Sequence, residues 1–275
     1  MQVILYMKKV GIVCCSNGID IKQKDSLMQL EMQLNELKIK VIWSPYIYKK
    51  EGVRAIDARK RADVLMTFFQ DDSIDAIFDI SGGDIANEIL EYLDFHQITK
   101  MFWGYSDLTT ILNAIYSQTQ KQTVLFQIRH IIDNDIQMLR LKNQSLFDID
   151  YQMIQGENVK GIVIGGNIRC FLKLAGTMYF PNVKDKLLFL EAYSGNEAKL
   201  ITYFSQLKQM KVFDKIQGLI LGTYTEYFQN HELIDLIELV KRYIPNDLPI
   251  IYTKDIGHDK NAKAIIIGKE YLFKK

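Results

Sequence analysis

The sequence lacks several features that assign proteins to functional classes. Its three cysteines, Cys14, Cys15 and Cys170, form no C-x-x-C pair and no metal-ligand spacing, so we expect small core residues rather than a disulfide framework or a metal site. The formal net charge is only +1, which argues against a dedicated partner of nucleic acid polymers or membrane surfaces, since both require a basic excess. No apolar run approaches the length of a membrane span.

The N-terminus also lacks the pattern of a secretory leader. The first ten residues hold a short apolar stretch, but its charges, Lys8 and Lys9, follow that stretch and no small-residue cleavage site comes after them. We therefore expect no signal peptide. Because unpaired cysteines are typical of a reducing compartment, the sequence predicts a cytoplasmic protein.

The sequence does contain a regular alternation of apolar runs and helical patterns over its first 120 or so residues. The predicted strands are residues 9–15, 40–43, 75–80 and 101–104, and the predicted helices are residues 26–37, 52–69, 85–93 and 108–116. Such an alternation is typical of a parallel sheet covered on both faces. Ligands of these sheets bind at the carboxyl ends of the strands.

Residues 117–156 are less regular and rich in Gln, Asn and Asp, which favours a crossover between two lobes. Beyond them, strands are predicted at residues 160–164, 186–190, 216–221, 249–252 and 264–267, with helices ending at 174 and spanning 197–210 and 231–243. The predicted class is α/β. It comprises a flavodoxin-like, doubly wound parallel N-terminal lobe (1–125), a crossover linker (126–155) and a smaller C-terminal β/β/α lobe (156–275).

One turn stands out as a candidate nucleophile site. The apolar run Met101–Gly104 is followed by Ser106 and at once by a helical pattern. This places the serine hydroxyl at the tip of a strand–turn–helix element, beside a helix N-terminus. The alternative is that Ser106 or Asp107 merely caps the helix. An α/β-hydrolase is disfavoured, since its motif needs glycine where Leu108 stands.

The partners that a nucleophilic serine requires are also available. Of the four histidines, His258 follows a strand and a glycine in a loop, which suits a catalytic base. Glu191 ends a buried apolar run and could orient that imidazole. A structural alternative is that Glu191 pairs with a lysine or caps a turn. The loop Ser81–Asp84 contains paired glycines whose N–H groups could bind an anion, although G-x-G-x-x-G is absent and a plain turn remains possible.

Taken together, these motifs resemble the LD-carboxypeptidase family of serine peptidases, which includes the microcin C immunity peptidases. The matching stretches are Ser81–Glu88, Gly104–Thr109, Ile164–Asn167, Leu188–Glu191, Phe213–Gly222 and Gly257–His258. They occur in the family's order and cover most of the chain. The Gly-Tyr-Ser-Asp and Gly-Gly-Asn elements are specific in combination.

The resemblance implies a role for each candidate residue. Ser106 would be the nucleophile, His258 the general base and acid, and Glu191 its orienting partner. The backbone N–H groups of Asp107 and Gly83 would form the oxyanion hole. The resemblance also implies a homodimer that needs no metal or cofactor. Its substrate would be a murein-derived peptide or a peptide–nucleotide antibiotic, cleaved at an amide bond next to a free carboxylate.

Some positions depart from the family pattern. Ser81 and Asp84 stand where the recycling-type carboxypeptidases have arginine and tyrosine, so the loop is more similar to that of the microcin-immunity branch. The segment Thr123–Arg129 replaces a Gly-Pro segment that shapes the substrate pocket in relatives. This replacement supports an alternative function, a non-catalytic protein that binds a small molecule or peptide on the same fold.

Overall fold

A computed structural model describes residues 7–275, which form two six-stranded sheets flanked by helices. The strands are β1 Lys9–Val13, β2 Lys40–Trp43, β3 Ala76–Asp79, β4 Met101–Gly104, β5 Thr123–Leu125, β6 Gln152–Gln155, β7 Val159–Asn167, β8 Lys186–Ala192, β9 Gly218–Tyr224, β10 Ile250–Tyr252, β11 Ile265–Ile267 and β12 Glu270–Phe273. The α-helices are α1 Lys24–Glu36, α2 Ala58–Gln70, α3 Thr109–Thr119, α4 Asp135–Asn143, α5 Ile168–Leu172, α6 Glu197–Gln209 and α7 Leu233–Lys241. Most of the stretch behind the expectation of no signal peptide, residues 1–6, lies outside the described residues.

The first sheet has the strand order β2-β1-β3-β4-β5-β11. Its first five strands are parallel, and the order 2-1-3-4-5 is that of flavodoxin-like sheets. The predicted class is thereby confirmed for this lobe. The loops after β1, β3 and β4 meet at one sheet edge, next to the point between β1 and β3 where the strand order reverses.

The core of this lobe follows from the sequence pattern. Every residue of β3 is buried, as expected for a strand covered on both faces. Leu27, Leu30 and Leu34 form the buried stripe of α1. Trp103 of β4 is fully buried and packs edge-on against Phe78 at a ring-centroid distance of 5.2 Å. The turn that carries Ser106 therefore grows out of a rigid strand.

The second sheet has the order β12-β7-β8-β9-β10-β6. Strands β7 to β10 are parallel, and the edge strands β12 and β6 are antiparallel. Strand β11 instead leaves this part of the chain and pairs with β5 of the first sheet. The predicted boundaries at residues 125 and 155 stay a prediction. Within residues 7–275, no helix combines the length and apolar character needed to cross a membrane.

The region predicted as irregular holds more structure than expected. Residues 117–156 include β5, α4 and β6. Strand β5 has only three residues, and α4 buries Gln137 while it exposes Ile136 and Leu139, so neither gives a clear apolar period. The helix predicted from residue 52 begins at residue 58, where the Asp57 carboxylate accepts the Lys60 N–H at 2.9 Å.

The two lobes are joined beside the candidate site. The Asn113 side chain on α3 donates to the Gly165 carbonyl at 2.8 Å and accepts its N–H at 2.9 Å. The Thr109 hydroxyl accepts the Asn167 N–H at 3.0 Å. At Gly166, with φ of 139°, a β-carbon would lie 2.6 Å from that hydroxyl oxygen, so only glycine allows this approach. The helix after Ser106 is thus fastened to the end of β7.

Candidate active site

Ser106 occupies a sharp turn between β4 and α3. Its φ is 54°, in the left-handed region that non-glycine residues seldom adopt and that costs of order 1–3 kcal/mol. The first turn of α3 follows Leu108, which makes no side-chain capping bond. The Ser106 hydroxyl instead lies 3.3 Å from Nε2 of His258. The structure therefore favours the exposed-hydroxyl interpretation over helix capping.

His258 lies in the loop after β10, as predicted, and two tyrosines flank its imidazole. The ring centroids of Tyr105 and Tyr193 are 4.6 and 4.9 Å from that of His258. The Tyr105 hydroxyl donates to the Gly257 carbonyl. Burial, together with the Glu191 carboxylate, holds the pKa of Tyr105 well above its usual value, so the phenol keeps the proton that it donates. This bond ties the Ser106 turn to the histidine loop.

Glu191 lies near the end of β8 and is fully buried. One of its carboxylate oxygens is 2.8 Å from Nδ1 of His258, and the other accepts the Asn167 side-chain N–H at 3.1 Å. Asn167 and Glu191 are register partners on β7 and β8. A buried carboxylate needs such partners, and here they are a histidine and an amide rather than a lysine. With the Nδ1 proton directed at the carboxylate, Nε2 is free to accept the serine proton.

The Asp107 side chain is fully buried and connects three segments. One oxygen accepts from the Ser16 hydroxyl at 2.6 Å and from the Ala86 N–H at 2.8 Å. The other accepts from the Lys173 ammonium at 2.5 Å, and that ammonium also donates to the Asp84 carbonyl at 2.9 Å. The residue that follows Ser106 thus fixes the glycine loop through both its own carboxylate and Lys173.

Gly83 has φ of 127°, and a β-carbon there would collide with the Asn17 side chain, so the position requires glycine. The Asn17 N–H donates to the Gly82 carbonyl at 3.2 Å, which holds the loop after β3 against the loop after β1. Within the part of the chain that the structure describes, neither the Gly83 N–H nor the Asp107 N–H donates a hydrogen bond. Gly83 lies on a half-buried loop, whereas Asp107 is fully buried, and their role as oxyanion donors stays a prediction.

Comparison with known proteins identifies the family. A model of the LD-carboxypeptidase N-terminal domain matches residues 10–125, and a model of the LD-carboxypeptidase C-terminal domain matches residues 160–272. The chain belongs to the LD-carboxypeptidase family. This membership confirms the predicted resemblance and places the chain among the peptidases.

Individual relatives in this family are distant in sequence but match most of the chain. The chain is 23% identical to the Probable murein peptide carboxypeptidase of Bacillus subtilis, over 94% of this chain and 86% of that protein. It is 26% identical to the microcin C7 self-immunity protein MccF of Escherichia coli, over 82% of this chain and 76% of that protein. A structure of MccF in complex with glutamyl sulfamoyl guanosine superposes with a TM-score of 0.87 at 19% identity, covering 96% of this chain and 92% of that one. This superposition confirms the fold.

The two departures in the glycine loop of this chain have separate structural explanations. Ser81 is buried; its hydroxyl donates to Asp79 at 2.5 Å and accepts the Ser16 N–H at 2.9 Å. Ser81 therefore ties the glycine loop to the ends of β3 and β1. Asp84 is exposed and pairs with Arg169 of α5, which holds the pKa of that carboxyl below its usual range. Arg169 also donates to the Gly83 carbonyl at 3.2 Å, so the second lobe contacts the loop through Arg169.

His130, which the sequence did not single out, packs against Tyr105, the residue that precedes Ser106. Its ring packs 5.8 Å from that of Tyr105 and 6.1 Å from that of Phe126, and its buried Nδ1 contacts no polar partner in the described part of the chain. Burial, with smaller effects from Arg129 and His258 opposed by Asp259, lowers the pKa of His130 to about 4. The ring is therefore neutral at neutral pH.

We predict that the lowered pKa of His130 makes the stability of the folded chain depend on pH. Because the pKa of His130 is lower in the folded chain than its usual 6.5, the unfolded chain binds the extra proton between those values. The contribution of His130 to the free energy of unfolding is therefore fully present above pH 6.5 and is lost as the pH falls towards 4. Its size is about 3 kcal/mol of the free energy of unfolding. Urea unfolding of His130→Phe at several pH values should show a shallower acid decline than the wild type. The exposed His96→Asn serves as the control, and parallel declines for His130→Phe and wild type would contradict the prediction.

Several polar residues that hold the candidate site together were not predicted from the sequence. Asn167 is part of a family motif, but its bond to Glu191 depends on strand register. Its position before α5, where its side chain accepts the Cys170 N–H at 3.3 Å, is the one local signal available. Lys173 and Tyr105 act through partners that are far away in sequence. Among residues 7–275, no three His, Cys, Asp or Glu side chains lie together in a way that could hold a metal ion.

Proposed function

We propose that the chain is a serine carboxypeptidase-type hydrolase in which Ser106 is the nucleophile, His258 the general base and acid, and Glu191 the residue that orients the imidazole. The observation that carries this proposal is the continuous contact from Ser106 Oγ to His258 Nε2 and from His258 Nδ1 to Glu191, at 3.3 and 2.8 Å. The first distance is slightly longer than a productive hydrogen bond, as is usual without substrate.

The proposed reaction has two stages. The Ser106 oxygen attacks the amide carbon while Nε2 of His258 takes the hydroxyl proton, and the imidazolium then gives that proton to the leaving nitrogen as the C–N bond breaks. Water, deprotonated by the same nitrogen, next attacks the acyl carbon, and the imidazolium returns that proton to the Ser106 oxygen as the ester bond breaks and the acid product leaves. In both stages the carbonyl oxygen becomes negative. The N–H groups of Asp107 and Gly83 would stabilise that charge, at about 3–4 kcal/mol for each donor.

The proposed substrates are murein-derived peptides or peptide–nucleotide antibiotics, cleaved at an amide bond next to a free carboxylate. Support comes from two relatives, one named for murein peptides and one for immunity to microcin C7. The latter has been solved with glutamyl sulfamoyl guanosine, an aminoacyl group on a nucleoside analogue. The two substrate classes share a short peptide or aminoacyl group and differ in the group attached beyond the scissile amide.

A substrate panel with an active-site probe tests this function. Purified protein is incubated with a muramoyl tetrapeptide and with glutamyl sulfamoyl guanosine, and products are identified by mass spectrometry. In parallel, a fluorophosphonate should label Ser106, as mapped by peptide mass. We expect labelling and cleavage of one substrate class. If the probe leaves the chain unmodified and neither substrate is cleaved, while calorimetry still detects ligand binding, the non-catalytic binding function replaces the proposal.

Two further properties belong to this proposal. We propose a homodimer, as the resemblance implies, and light scattering of the purified chain measures it directly. We also propose a cytoplasmic location. Its support is that Cys14, Cys15 and Cys170 are all free and buried, which suits a reducing compartment. Cell fractionation tests the location.

A further inference from the structure

The part of the chain that follows the segment Thr123–Arg129 packs against the loop that carries His258. After β5 the chain forms a short 3₁₀ turn, Ile128–Ile131, and then helix α4. Three side chains of this region, Asn134, Gln137 and Arg140, hydrogen-bond to residues 260–262 of the histidine loop. That loop has no regular secondary structure between β10 and β11, so its conformation depends on such bonds.

Gln137 is the centre of this contact. It is fully buried and sits on the inner face of α4, where an apolar residue would be ordinary. Its amide nitrogen donates to the Lys260 carbonyl at 3.1 Å and to the Ala262 carbonyl at 2.7 Å. Both N–H bonds of the amide are therefore directed at the loop. Burying an amide is unfavourable unless it is hydrogen-bonded, so the loop and Gln137 depend on each other.

The neighbouring residues reinforce the same loop. Asn134 precedes α4 and donates to the Lys260 carbonyl and to the Asn261 side chain, each at 3.1 Å. Arg140 donates to the Asn261 carbonyl at 2.5 Å. On the other side of His258, the Tyr105 hydroxyl donates to the Gly257 carbonyl. The backbone is thus hydrogen-bonded both before and after His258 in the chain.

We infer that Gln137 is a positioning residue for His258. It fixes residues 260–262 so that the imidazole bridges Ser106 and Glu191. The inference rests on the proposed function and deepens it, since it gives α4, which follows the departing segment Thr123–Arg129, a role in holding the proposed general base. A displacement of about 1 Å at a reacting group can cost as much as 100-fold in rate, so a loosened loop should be visible in kinetics.

The chain offers a matched control for the test. Gln155 on β6 also donates from one amide nitrogen to two carbonyls, those of Asn246 at 3.0 Å and Leu248 at 2.7 Å. It pairs with Ile250 at the start of β10, whereas His258 follows the opposite end of that strand. The variants Gln137→Met and Gln155→Met remove the same pair of bonds from two different loops.

The readout is the rate constant for labelling of Ser106 by a fluorophosphonate, measured from pH 5 to 9 at a temperature where circular dichroism shows each variant folded. We expect Gln137→Met to label at least about tenfold more slowly than wild type. We also expect the pH profile of its labelling to differ from that of wild type, because a displaced imidazole loses its contact with the Glu191 carboxylate. Gln155→Met should match wild type in both respects.

Arg140→Met provides a second variant if Gln137→Met does not fold, since Arg140 is only half-buried. It should slow labelling in the same direction by a smaller factor. Wild-type rates and pH profiles for the folded variants would overturn the inference and leave the proposed function standing. No labelling of the wild-type chain would overturn the proposed function itself.

Discussion

Ser106→Ala should abolish amide hydrolysis and leave the fold intact. We expect the turnover number on the cleaved substrate to fall by about 10⁴-fold or more, because without the hydroxyl no acyl-enzyme forms. The free energy of unfolding should change by less than about 0.5 kcal/mol, since the hydroxyl of this half-buried residue makes one long contact, 3.3 Å to His258. Product formation by mass spectrometry and thermal unfolding measure the two effects.

A second serine separates the loss of a nucleophile from the loss of any hydroxyl. Ser73 is exposed and lies before β3, at the sheet edge opposite the site, where its hydroxyl donates to Asp71 at 2.6 Å. Ser73→Ala should keep full turnover. If Ser106→Ala turned over as fast as Ser73→Ala, Ser106 would not be the nucleophile, and the Ser106–His258 contact would have only a structural role.

The local shape of the site could be predicted from sequence because each part follows from a short pattern. Met101–Gly104 is a buried strand that ends in a glycine, so the next polar residue falls at the carboxyl edge of the sheet. The same reasoning places Gly82 and Gly83 at that edge after β3. For parallel strands this edge is shared, so two patterns some twenty residues apart converge without any knowledge of side-chain contacts.

The long-range part of the site could not be predicted in this way. Ser106 and His258 are 152 residues apart, and Glu191 is 67 residues from His258. Residue patterns left both partners as candidates among alternatives. The resemblance to a family singled them out, because it carries information about which loops meet. The strand at residues 264–267 shows the same limit, since its apolar run predicts a strand but cannot say that it pairs with β5.

Buried polar residues are the second group that the sequence did not reveal. Sequence reasoning gives Asp107 only as a helix cap or as an oxyanion N–H donor, yet its fully buried carboxylate joins Ser16, Ala86 and Lys173. Gln137 interrupts the apolar face of α4, and the helix was not predicted. Apolar periodicity detects burial against hydrocarbon, whereas these side chains are buried against hydrogen-bond partners distant in sequence, which leaves no local signal.

Glu191→Gln should lower the turnover number by about 10³- to 10⁴-fold, although the change replaces one atom. The reason lies in Asn167, whose N–H donates to one Glu191 oxygen at 3.1 Å. A glutamine would keep its oxygen towards that donor and so turn its NH₂ group towards His258. Nδ1 would then have to accept, the imidazole proton would move to Nε2, and Nε2 could no longer take the proton of Ser106. Turnover of the cleaved substrate and fluorophosphonate labelling measure the loss.

This explanation makes a reversal possible. In Glu191→Gln combined with Asn167→Asp, the aspartate would accept from the glutamine NH₂ group, so the glutamine oxygen would again face Nδ1 and restore the productive tautomer. Aspartate can also cap α5 as Asn167 does. We expect the double variant to turn over substrate at least about tenfold faster than Glu191→Gln, because the two side chains are strongly coupled neighbours. Glu31→Gln is the control, since Glu31 likewise accepts one side-chain N–H, from Trp43 at 2.9 Å, away from the site. A double variant as slow as Glu191→Gln would mean that the carboxylate acts through its charge rather than through the tautomer that it selects.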